Sequence, residues 1–129
     1  MKLIFKAGDI KEYKTIVLAQ DVASFHGTVV HPVCSTFALA RDIEWTTRQF
    51  VLDMKEEDEE GIGTYLQIRH QGAAFVGDEI TFRGTFERLM DGELTCTFEA
   101  RVGTRIIATG KTGQKILKLE KIKSIFAHG

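Results

Sequence analysis

Thr36, Glu44 and His70 bring a hydroxyl, a carboxylate and an imidazole to a chain of 129 residues. Those three groups are the working parts of acyl transfer: a nucleophile or general base, a proton carrier, and a hydroxyl that orients or attacks. Each also has an ordinary structural use. Thr36 stands where a long helical pattern opens and suits an N-cap. A helix start also offers free N–H groups and positive dipole to a developing oxyanion, so one place can serve both ends. Glu44 lies inside the helical pattern, with Arg41 three residues before it and Arg48 four after, and either cation can hold it in a surface ion pair. It also borders the apolar stripe, with Phe37 and Val51 seven residues to either side. Partial burial there would raise the basicity of its carboxylate. His70 closes an alternating stretch in which Leu66 and Ile68 precede it on the same face. His26 and His31 fall in a preceding loop and have weaker claims.

The elements that must position these residues follow from periodicity. Tyr13 to Leu18 alternates as a strand, and Phe25 to Val33, with Gly27 and Pro32, reads as a loop. From Ser35 to Met54 the period becomes helical. Leu39, Ile43, Thr47, Phe50 and Met54 share one face, widened by Ala40 and Val51, and Asp42, Arg48, Gln49 and Asp53 lie opposite. Pro32 suits a first turn, and Ser35 or Thr36 an N-cap. The acidic run Glu56 to Glu60 lacks the alternating oxygen ligands and central glycine of a calcium loop and reads as a solvated linker. After it the period is two: Thr64 to His70, Glu79 to Arg88, Glu93 to Arg101 and Arg105 to Leu119 read as strands, with turns at Asp91-Gly92 and Val102-Gly103-Thr104. Gly110-Lys111-Thr112 resembles the end of a phosphate loop, but Arg105 stands where that loop needs glycine and a strand follows instead of a helix. The order predicts an α+β fold: an antiparallel sheet of about five strands wrapped around one long helix, with an edge strand free to pair with another subunit.

Composition limits the function classes. At 129 residues and 43% hydrophobic, the chain fits a single domain over 1–129 with one core. Seventeen Lys plus Arg against eighteen Asp plus Glu leave a net charge of −1, with no footprint for nucleic acid or an anionic membrane. Cys34 and Cys96 are far apart, with no CxxC pairing, and read as buried thiols that bind no metal. The N-terminal apolar run, Leu3 to Phe5, is too short for a signal peptide, and no stretch approaches the ~20 apolar residues of a membrane span. A soluble cytoplasmic protein is the expectation.

Taken together, the segments Ser35-Thr36-Phe37-Ala38-Leu39, Ile43-Glu44-Trp45, Gly63-Thr64 and Arg69-His70 resemble the active-site pattern of the hotdog-fold thioesterases, most closely the fluoroacetyl-CoA thioesterase type. In that family an Ala-Thr pair opens the long helix, a Met-Glu pair follows two turns later, and a Gly-Thr strand runs into a histidine followed by small residues and a glycine. The spacings agree without gaps: eight residues from Thr36 to Glu44, seven from Gly63 to His70 and seven from His70 to Gly77. Asp91-Gly92-Glu93-Leu94-Thr95 resembles the family's hairpin turn, and the resemblance covers roughly residues 10 to 120. The chain departs from the pattern in three places. Gly72-Ala73-Ala74-Phe75-Val76-Gly77 lacks the usual Thr-Pro pair. Gly110-Lys111-Thr112-Gly113-Gln114 stands where the family has Gly-Thr-His-Glu-Arg, so that segment's role does not transfer. Gly27 and Val30 replace lid phenylalanines, and fluoroacetate is not the expected substrate.

The resemblance implies a hotdog fold and a homodimer with active sites at the subunit interface, further association to a tetramer being left open. It implies an acyl-CoA thioesterase for a small or short-chain acyl group, without cofactor or metal, in which Thr36, Glu44 and His70 are catalytic. Gly63 would approach the substrate through its backbone. Exposed cations among Arg69, Arg83, Lys111 and Lys115 would bind the CoA phosphates. A non-hydrolytic acyl-CoA sensor and an acyl-thioester dehydratase or hydratase are alternatives on the same fold. Geometry adds a condition: on one straight helix Thr36 and Glu44 are ~12 Å apart. Either the helix proper starts after Thr36 and the chain folds back, or two subunits complete each site.

Overall fold

The computed structural model describes residues 1–128. In chain order these form β1 (Ile10–Ile16), a 3-10 turn (Ala19–Asp21), β2 (Val22–Phe25), β3 (Thr28–Cys34), α1 (Thr36–Met54), β4 (Glu59–His70), β5 (Glu79–Met90), β6 (Glu93–Val102), β7 (Arg105–Lys118) and α2 (Leu119–His128). Five strands make one sheet in the order β1-β5-β6-β7-β4, antiparallel throughout, and β2 and β3 pair as a separate ribbon. With α1 packed against one face of the sheet, this is the hotdog arrangement the resemblance implies.

Strand parity explains which face meets the helix. Along β6, Leu94, Cys96, Phe98 and Ala100 are buried, while Thr95, Thr97 and Glu99 between them are half-buried on the outer face. On α1 the buried face carries Leu39, Ile43, Phe50, Val51 and Met54. Gly84 on β5 lets the helix lie close: a Cβ there would come within 3.0 Å of Thr47 Cγ2. The apolar core falls into two clusters. One gathers Leu39 and Ile43 with Phe82 and Phe98. The other gathers Phe50 and Met54 with Phe86 and Leu94, and there Phe50 meets Phe5 and Phe86 edge to face at centroid distances of 5.0 and 5.7 Å. Fully burying side chains of this size contributes about 1.5–3 kcal/mol each. Between the clusters the buried residues are polar: Thr46, Thr47, Thr112 and Gln114.

Several sequence expectations are corrected. The first strand starts at Ile10 and ends at Ile16. The stretch before the helix is the β2–β3 hairpin, turned at His26 and Gly27, whose φ values are +52° and +81°. Its register shifts twice, which breaks the alternation a strand reading needs. Pro32 lies in β3 instead of the first helical turn. The acidic run is divided: Glu59 and Glu60 open β4, and Glu59 is buried against the N-terminal amine, 3.0 Å away. Leu119 begins α2, with Ile122 facing inward. Asp42 is buried instead of solvent-facing, because Arg41 Nε and Nη2 donate to its two oxygens at 3.1 and 3.0 Å.

Candidate active site

Ser35 is the N-cap of α1: its Oγ accepts from the Ala38 amide at 3.0 Å, which makes Thr36 the first helical residue. The Thr36 and Phe37 amides ahead of that bond donate to no acceptor among the described residues. Residues 34 and 35 are tied down from both sides. The Ser35 amide donates to the Asp21 carbonyl and the Cys34 amide to the Ala74 carbonyl, each at 2.8 Å. Arg41 binds Asp42 and reaches Asp21 Oδ1 at 3.5 Å, joining the base of the hairpin to the first turns of α1.

His70 ends β4 beside this helix start. Thr36 Oγ1 and His70 Nε2 are 3.0 Å apart, one hydrogen bond between residues 34 positions apart in the chain. They share a small cavity with Cys34, Leu39, Ala74 and Ile107.

Glu44 is elsewhere. It lines a separate cavity of about 540 Å³ with Tyr13, Trp45, Gly63, Tyr65 and Gln114, and the two cavities have no lining residue in common. Since α1 is helical from Thr36 onward, the folded-back alternative does not apply. Eight residues at about 1.5 Å each keep Glu44 ~12 Å along the axis from Thr36. Neither expected ion pair forms: Arg41 is held by Asp42 and Asp21, and Arg48 by Glu60 at 2.9 Å. The Glu44 carboxylate has no hydrogen-bond or ion-pair partner among the described residues, and Glu44 is exposed. Gly63 opens the same cavity, since a Cβ on it would meet nothing within 4 Å.

None of the predicted phosphate ligands lines either cavity. Arg69 is exposed next to His70, Lys111 is ion-paired to Glu87 at 3.2 Å, and Lys115 borders a small surface pocket with Arg88 and Glu93. Arg83 is paired to Glu12 at 2.8 Å. Among the described residues no three His, Cys, Asp or Glu side chains are grouped to hold a metal ion, and no helix is long and apolar enough to cross a membrane. Sequence reasoning passed over Tyr13, Trp45, Tyr65 and Gln114 as cavity residues. Gln114 carried a signal: it sits at the inward parity of β7, in step with Ala108 and Ile116, where an apolar residue is the norm.

Cys34 is the other nucleophile beside Thr36 and His70. Burial, and then the negative charges of Asp21 and Asp42, push its thiol up to about 11. Only the thiolate reacts, so a raised pKa keeps Cys34 inert at neutral pH. Its alkylation by iodoacetamide is expected to rise about tenfold per pH unit from pH 7 upward and to level off only near that value. A plateau below pH 9 would return Cys34 to the list of nucleophiles.

Residues 17–120 match the profile of a family described as FlK, fluoroacetyl-CoA-specific thioesterase. No curated protein matches in sequence. Among solved structures, a hypothetical protein of Thermus thermophilus, TTHA0967, described as a thioesterase superfamily member, is 28% identical, with a TM-score of 0.91 over 95% of this chain and 91% of that one. A mutant of the fluoroacetyl-CoA-specific thioesterase FlK, in complex with fluoroacetate and CoA, is 18% identical with a TM-score of 0.84, covering 92% and 99% of the two chains. A hot-dog-like protein from Thermanaerovibrio acidaminovorans is 16% identical with a TM-score of 0.88, covering 96% and 92%.

Proposed function

The chain belongs to the fluoroacetyl-CoA-specific thioesterase family, and from that premise we propose that it hydrolyses small or short-chain acyl-CoA thioesters at sites shared between two copies, Thr36 and His70 coming from one and Glu44 from the other. The 3.0 Å contact between Thr36 Oγ1 and His70 Nε2 carries this reading, together with an unpaired Glu44 carboxylate in a different cavity of the same chain. Each chain then holds two half-sites.

The edge strand supplies a way to join them. Among the described residues β4 has a neighbour in its sheet only on the β7 side, and it exposes Tyr65 and Leu66. Gly63, beside Glu44, and His70, beside Thr36, are seven residues apart on it, roughly 23 Å in extended chain. No single strand brings both to one ligand. Two copies of β4 paired antiparallel about a twofold axis between these positions set His70 of each near Gly63 of the other.

In such a site the thioester carbonyl lies at the start of α1, where the free Thr36 and Phe37 amides and the positive helix end stabilise the oxyanion. Glu44 either attacks the carbonyl carbon, giving an anhydride that water then cleaves, or takes a proton from the water that attacks. The C–S bond breaks, and CoA leaves with a proton delivered by His70, so that one water is consumed per acid and thiol formed. Arg69, exposed next to His70, is our choice for the CoA phosphates, since Lys111 is engaged by Glu87 and Lys115 faces a separate pocket. Fluoroacetyl-CoA is not the proposed substrate: no aromatic stands at Gly27 or Val30, the aromatic of this hairpin being the exposed Phe25 at the end of β2. The test is free-thiol release from a panel of acyl-CoAs, with enoyl-CoA hydration assayed alongside. Thiol release from short-chain members is expected. Tight CoA binding without release would make the protein an acyl-CoA sensor, and hydration without release a dehydratase.

A further inference from the structure

The cavity beside Glu44 has a polar inner wall that the hydrolytic mechanism does not use. Gln114 is 9% exposed, and its one side-chain hydrogen bond is a long one, Nε2 donating to Thr47 Oγ1 at 3.3 Å. The second Nε2 hydrogen and the side-chain carbonyl oxygen have no partner among the described residues. Thr112, also buried, turns its hydroxyl to the Cys96 thiol in the core and away from the cavity, which leaves the amide of Gln114 as the polar group there. The Gln114 carbonyl oxygen is open to the cavity, so a ligand that covers it without offering a donor leaves it unpaired at a cost, and a cavity that served only to hold hydrocarbon would be better lined by Leu or Met.

Position narrows the ligand. Gln114 is the cross-strand partner of Gly63, the open wall of the same cavity. Thr47, which anchors the Gln114 amide, stands three residues beyond Glu44, ~4.5 Å along the helix. A group bound to that amide is therefore close to the reacting carbonyl. The free donor and acceptor of that amide are complemented by a group that both donates and accepts, and the smallest such group on a short acyl chain is a hydroxyl.

We infer that Gln114 is a specificity-determining residue that selects short acyl groups bearing a hydroxyl within two or three carbons of the thioester carbonyl. The inference rests on the thioesterase reading above, with the Glu44 cavity holding the acyl group. A plain alkyl group displaces water from the amide without replacing its hydrogen bonds, whereas a hydroxyl replaces them.

The experiment measures kcat/KM for thiol release from two matched pairs: butyryl-CoA against 3-hydroxybutyryl-CoA, and propionyl-CoA against 2-hydroxypropionyl-CoA. The wild-type chain is expected to prefer the hydroxylated member of at least one pair by about tenfold or more. In Gln114→Met, similar in volume but without the amide, the ratio falls toward one. Ratios near one in the wild type, or a preference that survives Gln114→Met, overturn the inference and leave the thioesterase reading standing. Absence of thiol release from all four substrates overturns both. If Gln114→Met does not fold, as judged by circular dichroism, the wild-type ratios decide.

Discussion

Glu44→Gln and His70→Ala, each close to inactive as a homodimer, are expected to recover hydrolysis when the two chains are paired in one dimer. Removing a general base, nucleophile or proton carrier of this kind lowers kcat by about 10²–10⁴. In a mixed dimer, one site combines Thr36 and His70 of the Glu44→Gln chain with the intact Glu44 of its partner. The other site collects both substitutions. One good site in two predicts about half of the wild-type activity per mixed dimer, a gain of at least about fiftyfold over either parent. The measurement is thiol release by dimers co-expressed with two different affinity tags and purified through both. The physical basis is the helix itself: with Thr36 as its first residue and Glu44 two turns on, one chain cannot bring both to one carbonyl. Mixed dimers no more active than their parents would sink the shared site. A mass label from ¹⁸O-water in the Glu44 carboxylate after a single turnover would show an anhydride opened at the glutamyl carbonyl and identify Glu44 as the nucleophile.

Gly110→Ala is the substitution expected to damage the fold most for its size. A Cβ at Gly110 would stand 1.9 Å from the Gln67 carbonyl oxygen and 2.8 Å from Phe98 Cε1. The first neighbour is backbone of the edge strand and cannot rotate away. Relief requires β4 to part from β7 between Ile68 and Tyr65, beside the pairing of Ile68 with Gly110 itself. We expect a loss of about 3–5 kcal/mol, at the upper end for single substitutions, and seen as a lowered urea midpoint. Because His70 ends the displaced strand and Gly63 lies on it, activity should fall before unfolding is complete. A midpoint unchanged from the wild type would show that the strand pair has more freedom than this contact allows.

That glycine also illustrates what local sequence can mislead about. Gly110-Lys111-Thr112 carries the letters of a phosphate loop, yet the glycine is there because another strand's backbone passes too close for any side chain. Periodicity located α1, β5, β6 and β7 to within two residues at each end, and β4 except for its first five residues, since each keeps one face against the core. It failed where a distant partner decides the outcome. Glu59 is a strand residue because it pairs with Lys118 of β7, its carboxylate accepting from the Glu56 amide, and Asp42 is buried because Arg41 turns back to bind it. The β2–β3 ribbon escaped notice because its register shifts and its turn uses a non-glycine residue, His26, at positive φ. The helix α2 escaped because the β7 alternation runs without a break into its first residue, Leu119.

For the site, the primary structure carries the groups and their spacing: Thr36 at a helix start, Glu44 two turns on, His70 at a strand end, and the family to which that spacing belongs. It also determined that Thr36 and Glu44 cannot meet on one straight helix, because the rise per residue is fixed by backbone hydrogen bonding. Which pair meets depends on how the strands assemble. Sheet pairing carries the end of β4 to the start of α1 and sets Thr36 against His70 across 34 residues. Tertiary contacts also left Glu44 unpaired, since Asp21, Asp42 and Glu60 occupy the two arginines that flank it in sequence. Ion pairs are settled by which opposite charge lies nearest in space, and neighbours along a helix are only the first candidates.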